Sequence, residues 1–451
     1  MNPEVLSLFG SEIQELPREI GHLKHLKLLD ITECRLLLQI APGVLSSLTR
    51  LEELYMRNSF SQWSHVQGNE EKICASVDDI ISLSDHLKVL EIDIPQVQLL
   101  GQSSVLFNSL TRFGISIFKP FDSSWNCLFE NYLSFEGDTK SMIECGIHLL
   151  LNKCEKLELR DVESLKNVTQ LNEDGFSRLK VLTIWGGKDM EYLINLTSKC
   201  THQAAPLVLL EELKIKCLDN LKGLCHPDLL HLQRDPTTQF QLFYNLTTLR
   251  LSNCSKLQYV FSAYIARGSI PKLQSLEVTS CDEIEGVIYK ETEENDDSNI
   301  IAADMIVFPK LADVDFGGLN SLISLYTAMD DSDAKLFPFK CMNWLPSLRE
   351  LVVIECNKLR VVFDFVGLAV ALLPEKEKTN TTLVTAQLIQ EEDHLHGIDH
   401  QYRCLGCLPV PTPIGKHRPD QGNNTIQNKS QDRIISATKS SHSDAQGEVR
   451  N

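Results

Sequence analysis

LTTLRLSNCSKLQYVF, which begins at Leu246, recurs in altered form as LQSLEVTSCDEIEGVI from Leu273 and as LRELVVIECNKLRVVF from Leu348. All three stretches fit the template LxxLxLxxCxxLxxVh, in which h is an apolar residue. Self-similarity of this kind is the signature of leucine-rich repeats, whose units stack into a solenoid. The repeat therefore predicts an α/β solenoid, a leucine-rich-repeat horseshoe with a parallel β-sheet on its concave face and an irregular, short-helical convex side.

The same pattern predicts about eleven short strands, unevenly spaced, between residues 1 and 373. Side chains alternate along a strand, so each strand would direct two apolar residues inward and leave its alternate residues facing out. One repeat cannot cover its own leucines, and burial of each contributes about 1.5–3 kcal/mol, so stacking of neighbours stabilises the array. The predicted strands are centred on Asp30, Tyr55, Glu91, Gly114, Glu158, Thr183, Lys214, Arg250, Glu277, Asp315 and Val352.

The repeat pattern stops near Leu373, and the chain then becomes rich in Asn, Gln, Ser, Thr and Lys. A segment of this composition buries too little apolar surface to order itself. We therefore predict two regions, a leucine-rich-repeat domain at 1–373 and a polar, largely disordered tail at 374–451.

The tail contains one group of residues with metal-ligand character, in the stretch HLHGIDHQYRCLGC. Two thiolates and two imidazoles can hold zinc in a tetrahedral site. However, the spacing is compressed and reversed relative to the common zinc finger, and the segment shows no strand and helix that would hold such a site. We therefore expect no metal and no other cofactor, and the role of the cluster stays open. Its members are His394, His396, His400, Cys404 and Cys407.

Composition restricts the classes of partner. The 451 residues carry a formal net charge of −18, which disfavours nucleic acid because such binding normally requires a basic patch. No stretch approaches the roughly 20 apolar residues that span a bilayer. The stretch MNPEVLSLFGSEIQELP also lacks the basic start and apolar core of a signal peptide. These features predict a cytoplasmic protein, with the nucleus left open.

Four cysteines each follow a strand leucine by five residues, at the N/C position of the repeat, where the side chain turns into the core. With no secretion signal, we expect buried, reduced thiols rather than disulfides. The four are Cys34, Cys254, Cys281 and Cys356.

Motifs for the common catalytic chemistries are absent from the sequence. We find no GxxxxGK[ST] loop for phosphates, no GxGxxG after a strand, no HExxH and no GxSxG elbow. The sequence therefore favours a protein that is not an enzyme.

The outward strand positions predict a protein-binding surface on the concave face. Tyr, Trp and Arg, the residues most frequent at interface hot spots, occur there among charges of both signs. A basic strip of Lys214, Lys216 and Arg250 could meet an acidic patch of the partner. The candidate contact residues are Asp30, Tyr55, Arg57, Glu91, Asp93, Glu158, Arg160, Trp185, Lys214, Lys216, Arg250 and Glu277.

The stretch IQELPREIGHLKHLKLLDITEC, from Ile13 to Cys34, resembles the IxxLPxxIGxLxxLxxLDLxxC opening of one repeat family. That family is the leucine-rich-repeat portion of plant intracellular nucleotide-binding, leucine-rich-repeat (NBS-LRR) disease resistance proteins. The later NCSKLQYVF, SCDEIEGVI and ECNKLRVVF are similar to the C-terminal repeats of its coiled-coil branch. The resemblance covers about residues 5–370, and the LxGxIP pattern of secreted plant repeat receptors is missing.

The resemblance implies a recognition module of innate immunity. Such a module binds a pathogen effector or a guarded host protein and can restrain a nucleotide-binding domain, in cis or in trans. Because the sequence has no phosphate-binding loop, ATP binding is not carried over to any residue. The chain could be part of a larger receptor or, alternatively, a free-standing repeat protein that acts as a substrate-recruiting or decoy scaffold. The resemblance does not name the recognised protein.

Overall fold

The computed structural model describes thirteen stretches of the chain. These lie in one unit, Met1–Cys407, and a second unit, Leu408–Asn451, is outside the described residues. The stretches are 3–64, 74–101, 103–117, 129–172, 175–195, 207–226, 242–266, 270–289, 307–326, 335–337, 345–359, 361–363 and 401–405.

Twenty-three short strands occur in the described residues. The first twelve are β1 (Val5–Ser7), β2 (Glu15–Leu16), β3 (Leu28–Asp30), β4 (Gln39–Ile40), β5 (Glu53–Met56), β6 (Val89–Ile94), β7 (Arg112–Ile117), β8 (Asn131–Asp138), β9 (Lys156–Glu163), β10 (Val181–Trp185), β11 (Tyr192–Ile194) and β12 (Glu212–Lys216). The others are β13 (Gly223–Cys225), β14 (Thr248–Ser252), β15 (Phe261–Ser262), β16 (Ser275–Thr279), β17 (Gly286–Tyr289), β18 (Asp313–Gly317), β19 (Ser324–Tyr326), β20 (Lys335–Phe337), β21 (Glu350–Ile354), β22 (Val361–Phe363) and β23 (Gln401–Leu405).

Fourteen of these strands form one parallel sheet, the main sheet, in the order β1-β3-β5-β6-β7-β8-β9-β10-β12-β14-β16-β18-β21-β23. Neighbours in the sheet follow each other along the chain, so each strand is hydrogen-bonded only to the main-sheet strands before and after it. That arrangement is a repeat solenoid. The predicted leucine-rich-repeat fold is thereby confirmed.

All eleven predicted strands lie in the main sheet, and three of its fourteen strands were not predicted. These are β1, β8 and β23. Strand β8 carries YLSF where the repeat would have LxxLxL, so the leucine pattern does not mark it. Strand β23 pairs with β21 and lies within the region predicted as a tail. The boundary at 373 and the disorder of the tail stay predictions, because most of 374–451 is outside the described residues.

The segments that connect main-sheet strands contain more β-strand than predicted. The repeat pattern had predicted an irregular, short-helical side there. In the described residues they form four small parallel sheets: β2 with β4, β11 with β13, β15 with β17 and β19, and β20 with β22. The helices are equally short. They are α1 (Val77–Ile81), α2 (Ser104–Ser109), α3 (Thr139–Glu144), α4 (Ala263–Ala266) and the 3-10 helices Arg18–His22, Val97–Leu100, Ile147–Lys153 and Val168–Gln170.

The register of the main sheet shifts by two residues at β8. The inward leucine position of the first rungs is occupied by Phe113 in β7. The residue of β8 that pairs with Phe113 is Asn131, which is not apolar. From there the inward positions run from Ile115 through Leu133 to Leu157. Asn131 is buried, and its Oδ1 accepts a hydrogen bond of 3.1 Å from the Phe113 amide. The shift decides which outward residues stand side by side.

A left-handed residue follows most main-sheet strands and turns the chain off the sheet. At Cys217, Asn253 and Ser280, φ lies between 53° and 58°, and each amide donates to the next rung, over 2.9, 3.0 and 2.8 Å. The residue after this turn then enters the core. This position holds the repeat cysteines, and Cys254 and Cys281 are fully buried.

The predicted burial of the repeat cysteines holds for three of the four. Cys34, Cys254 and Cys281 are buried free thiols, as expected, whereas Cys356 is only half-buried. The Cys34 thiol donates to the Leu8 carbonyl at 3.1 Å, and so steadies the loop that leaves the preceding rung.

Inward side chains of successive rungs form one continuous apolar core. Leu213 is fully buried between Leu182 and Leu249, its register partners in the neighbouring strands. No helix in the described part of the chain combines the length and apolar character needed to cross a bilayer.

Candidate protein-binding surface

The outward residues of the main sheet line up in four rows, which together make its open face. A short row on the first rungs holds Val5, Leu28, Glu53, Val89 and Arg112. The three longer rows beside it are numbered first to third. The first row is Asp30, Tyr55, Glu91, Gly114, Tyr132, Lys156, Val181, Glu212, Thr248, Ser275, Asp313 and Glu350. The second row is Asp93, Ser116, Ser134, Glu158, Thr183, Lys214, Arg250, Glu277, Asp315 and Val352. The third row is Glu136, Arg160, Trp185, Lys216, Ser252, Thr279, Gly317 and Ile354.

The candidate contact residues fall into the three longer rows rather than one. Because of the register shift, Glu91 and Glu158, which occupy the same place in the repeat pattern, lie in different rows. The first row holds Asp30, Tyr55 and Glu91; the second holds Asp93, Glu158, Lys214, Arg250 and Glu277; the third holds Arg160, Trp185 and Lys216; Arg57 lies directly after β5.

Tyr55 is held by two neighbours that the repeat pattern did not mark. Its hydroxyl donates to Glu53 Oε2 at 2.5 Å and accepts a hydrogen bond from the Arg112 guanidinium. That guanidinium also lies 5.5 Å from the centre of the Tyr55 ring. Burial and the Glu53 carboxylate raise the pKa of Tyr55, so the phenol stays protonated. The result is an oriented, half-buried ring.

Arg57 packs into the open face instead of standing out from it. The side chain keeps only 5% of its surface exposed, and its guanidinium lies 5.8 Å from the centre of the Tyr132 ring. Gly114 lies beside it, and an added Cβ there would be at an ordinary contact distance of 3.5 Å from the Arg57 guanidinium. This residue therefore offers a partner little area.

Two carboxylates accompany Arg57 in this packed region. Burial raises the pKa of both Glu91 and Asp93, and the Arg57 charge partly opposes the rise. Asp93 Oδ2 also accepts a hydrogen bond of 2.7 Å from the Asn58 amide, which ties it to the turn after β5. We conclude that the first rungs of the open face are largely filled by their own polar side chains.

The centre of the open face is organised around Glu158. Its carboxylate accepts a hydrogen bond from the Tyr132 hydroxyl at 2.8 Å and pairs with Lys156 at 3.0 Å. The Arg160 guanidinium is more distant, at 3.9 Å. Arg160 instead lies over the indole of Trp185, 5.3 Å from the ring.

Trp185 is the most accessible aromatic side chain of the open face. It ends strand β10 and is 39% exposed, and in the described main-sheet residues no other aromatic is exposed. Arg160 and Lys216 are its register partners on either side. A large apolar ring flanked by two cations is a typical composition for an interface hot spot.

The predicted basic strip is partly neutralised within the sheet. Lys214 pairs with Glu212 at 2.8 Å, and Arg250 pairs with Glu277 at 3.1 Å and with Glu212 at 4.0 Å. Lys216 is exposed and forms no ion pair with the described residues. Glu212 was missed as a site residue, although alternation along the strand places it on the same face as Lys214.

The last rungs of the open face are acidic. Asp315 lies beside Glu277 in the second row, and Asp313 lies beside Glu350 in the first row. Partial burial, followed by the Glu277 and Glu350 charges, raises the pKa of Asp315. Like charges therefore lie side by side at this end of the surface, and among these four residues Glu277 alone forms an ion pair within the described residues, with Arg250.

We expect the variant Asp315→Asn to be more stable than the parent at pH 7 but not at pH 3. The folded-state pKa of Asp315 lies above its unfolded value, so the penalty appears as pH rises through that interval and is complete at neutral pH. The gain should be small, on the order of 0.5 kcal/mol, because the site is partly exposed. Thermal unfolding of both proteins from pH 3 to 8 measures it. An equal gain at pH 3 would show that the charge is not its cause.

The histidine and cysteine cluster of the tail, His394, His396, His400, Cys404 and Cys407, lies outside the residues whose side chains the structure describes. Across the described stretches, no group of three or more His, Cys, Asp or Glu side chains is arranged to hold a metal ion.

The chain is similar in sequence to plant disease resistance proteins. The family model described as plant disease resistance protein RPS2-like, leucine-rich repeats, matches residues 131–282, which contain Arg160, Trp185 and Lys216. The disease resistance protein At4g27190 of Arabidopsis thaliana is 27% identical over 300 residues, 63% of this chain and 28% of that protein. The probable disease resistance protein At4g27220 of the same plant is 28% identical over 252 residues, 53% of this chain and 25% of that protein. The resemblance to the repeats of resistance proteins is confirmed, and the assignment to the nucleotide-binding class and its coiled-coil branch stays a prediction.

Solved repeat structures are also similar, at low identity. An internalin of Listeria monocytogenes is 14% identical, with a TM-score of 0.36, over 69% of this chain and 86% of that one. The leucine-rich repeat domain of the type III effector XopL is 19% identical, with a TM-score of 0.33, over 55% of this chain and 75% of that one.

Proposed function

We propose that the open face of this chain, whose repeats are similar to those of plant disease resistance proteins, recognises a pathogen effector or a guarded host protein. The observation that carries the proposal is Trp185, a half-exposed indole between Arg160 and Lys216 in the region matched by the family model. Such a ring binds by excluding water against an apolar partner group while the cations fix its orientation. The proposed role is that of a binding module and not of an enzyme, because stacked repeats present an extended surface suited to binding proteins.

The role of the module in signalling rests on its relatives. The aligned region spans about a quarter of the length of the Arabidopsis resistance proteins that it matches. We propose that the repeats work with a nucleotide-binding domain, in cis or in trans, and that partner binding releases a restraint on it. The proposed location is the cytoplasm, with the nucleus as the alternative.

A pair of aromatic variants tests the surface. Trp185→Ala should weaken binding of the recognised protein by about 30-fold, since truncation of a hot-spot residue costs about 2 kcal/mol or more. Tyr289→Ala is the matched control: Tyr289 is 41% exposed in β17, outside the main sheet. Its affinity should stay within about twofold of the parent.

The measurement begins in leaves challenged with pathogen. Tagged parent protein is isolated, the proteins that co-purify are identified, and each is then titrated in purified form against the parent and both variants. The proposal fails if Trp185→Ala keeps the parental affinity, or if Tyr289→Ala loses as much. Loss of the resistance response with Trp185→Ala alone would link the same surface to defence.

A further inference from the structure

Trp185 has different neighbours on its two sides in the main sheet. On the β9 side its register partner is Arg160, whose guanidinium lies over the indole, 5.3 Å from the ring. On the β12 side its register partner is Lys216, an exposed lysine that forms no ion pair with the described residues. The two cations beside the ring therefore differ in what they can still bind.

The guanidinium of Arg160 is engaged within the sheet. Its Nη2 lies 3.9 Å from Glu158 Oε2, and the two side chains are only 21% and 17% exposed. A second acidic residue, the exposed Glu136, is the register partner of Arg160 in β8. A cation with two acidic neighbours has its charge balanced inside the protein, so Arg160 attracts an anionic group of a partner only weakly.

Glu158 is itself fixed in place. Its carboxylate accepts a hydrogen bond of 2.8 Å from the Tyr132 hydroxyl and pairs with Lys156 at 3.0 Å. Tyr132 is buried, and burial followed by the Glu158 charge raises the pKa of its phenol, so the hydroxyl stays protonated and donates. Lys156 also lies over the Tyr132 ring, 5.1 Å from its centre. A buried tyrosine thus anchors the carboxylate that holds Arg160.

The other side of the indole is open to an anionic group. Beyond Lys216, the third row continues with Ser252 in β14 and Thr279 in β16, which are small and uncharged. An acidic side chain that approaches Lys216 from the β14 side therefore meets no carboxylate in that row. The charge of Lys216 is complementary to such a side chain.

We propose that recognition at Trp185 is one-sided. The indole and Lys216 contact the partner, which brings an apolar side chain and, about two residues further along an extended segment, an acidic one. Arg160 makes no contact with the partner; held by Glu158, it is a positioning residue that fixes the indole. This inference rests on the proposed function, because it specifies which side chains of the same surface meet the recognised protein.

Fluorine NMR tests the positioning role without a partner. The purified chain is labelled with 5-fluorotryptophan, and Trp185→Phe identifies the resonance of Trp185 among those of the four tryptophans. Arg160→Gln and Glu158→Gln should both move this resonance toward that of the free amino acid, because the indole is no longer held. Arg160→Lys, which keeps the charge, should leave it nearer to the parental position. An unmoved resonance in both Gln variants would overturn the positioning role.

Glu155→Gln is the matched control for the carboxylate. Glu155 pairs with Lys180 at 3.2 Å, so this variant also loses an ion pair close to β9 and β10. We expect the Trp185 resonance to stay at its parental position, and circular dichroism shows that each variant is folded. A shift as large as that in Glu158→Gln would mean that the loss of any neighbouring ion pair disturbs the ring, and the specific role of Glu158 would be wrong.

Ionic quenchers test the charge on the open side of the ring. The Trp185 fluorescence is the difference between each protein and its Trp185→Phe counterpart, and its quenching by iodide is divided by its quenching by neutral acrylamide. Lys216→Gln should lower this ratio about twofold at low ionic strength, because the exposed ammonium no longer concentrates the anion at the ring. The double variant Glu158→Gln/Arg160→Gln removes a balanced pair and should leave the ratio within about 20% of the parent. An equal fall in both proteins, or a fall in neither, would overturn the one-sided arrangement.

The two proposals fail separately, because neither measurement uses the natural partner. If both results are as expected while Trp185→Ala retains full affinity for the natural partner, the proposed function is wrong and the arrangement of the ring stands. Lys216→Gln and Glu158→Gln should each weaken the natural partner about fivefold, through a lost charge pair and a lost pre-organised ring respectively. If the partner requires Trp185 but binds both variants like the parent, one-sided recognition is wrong and the recognition surface stands.

Discussion

Replacing Gly146 with alanine is expected to destabilise the fold by about 3 kcal/mol. Gly146 has φ 83° and ψ 5° at the start of the 3-10 helix Ile147–Lys153, a left-handed conformation that costs an L-residue about 1–2 kcal/mol. An added Cβ would lie 2.7 Å from Ser104 Cα and 2.8 Å from Ser104 Cβ. Because Ser104 Cα is a backbone atom and cannot rotate away, α2 would have to move away from the 3-10 helix. Its buried residues would then become exposed.

Chemical denaturation followed by circular dichroism measures this loss. The matched control is Gly10→Ala, since Gly10 also has a positive φ, 65°, but nothing lies within 4 Å of an added Cβ. Gly10→Ala should lower the free energy of unfolding by about 1 kcal/mol, the cost of the left-handed conformation alone. Equal losses at Gly10 and Gly146 would mean that close packing on Ser104 contributes nothing.

Truncation of Leu213 to alanine should cost about 3 kcal/mol, within the range for buried leucines. The side chain is fully buried and stacked between Leu182 and Leu249 in the adjacent rungs. Its truncation therefore leaves a cavity next to both leucines. In a solenoid, stability is carried by contacts between neighbouring rungs. The variant should therefore also broaden the unfolding transition, as the two halves of the array become less coupled.

Leu209 provides the control for this prediction, because it lies four residues earlier and is 41% exposed. Leu209→Ala should change the free energy of unfolding by less than about 0.5 kcal/mol. Denaturant titration of both variants gives the midpoint and the slope. A loss at Leu209 as large as that at Leu213 would contradict the assignment of the two side chains to surface and core.

Much of the architecture follows from the sequence alone. The recurring LxxLxLxxC pattern predicted eleven of the fourteen main-sheet strands, because an apolar pair separated by one residue is what a half-buried strand requires. Leu213 and Cys254 illustrate this, since their place in the repeat was enough to predict their burial. The outward residues between the leucines, including Trp185, were likewise predicted from alternation.

Only the tertiary structure decided how these residues are combined. Strand β8 lacks the leucine pattern, and its insertion with Asn131 in a leucine position moves the register by two residues. Neighbouring rungs meet through backbone hydrogen bonds and core packing, which depend on distant parts of the chain and leave no local signal. Side-chain contacts on the open face pack around Arg57 and pair Lys214 and Arg250 with carboxylates, while Trp185 and Lys216 stay exposed. The sequence thus determined the repeat and the residues of its open face, and packing between rungs determined which of them a partner can reach.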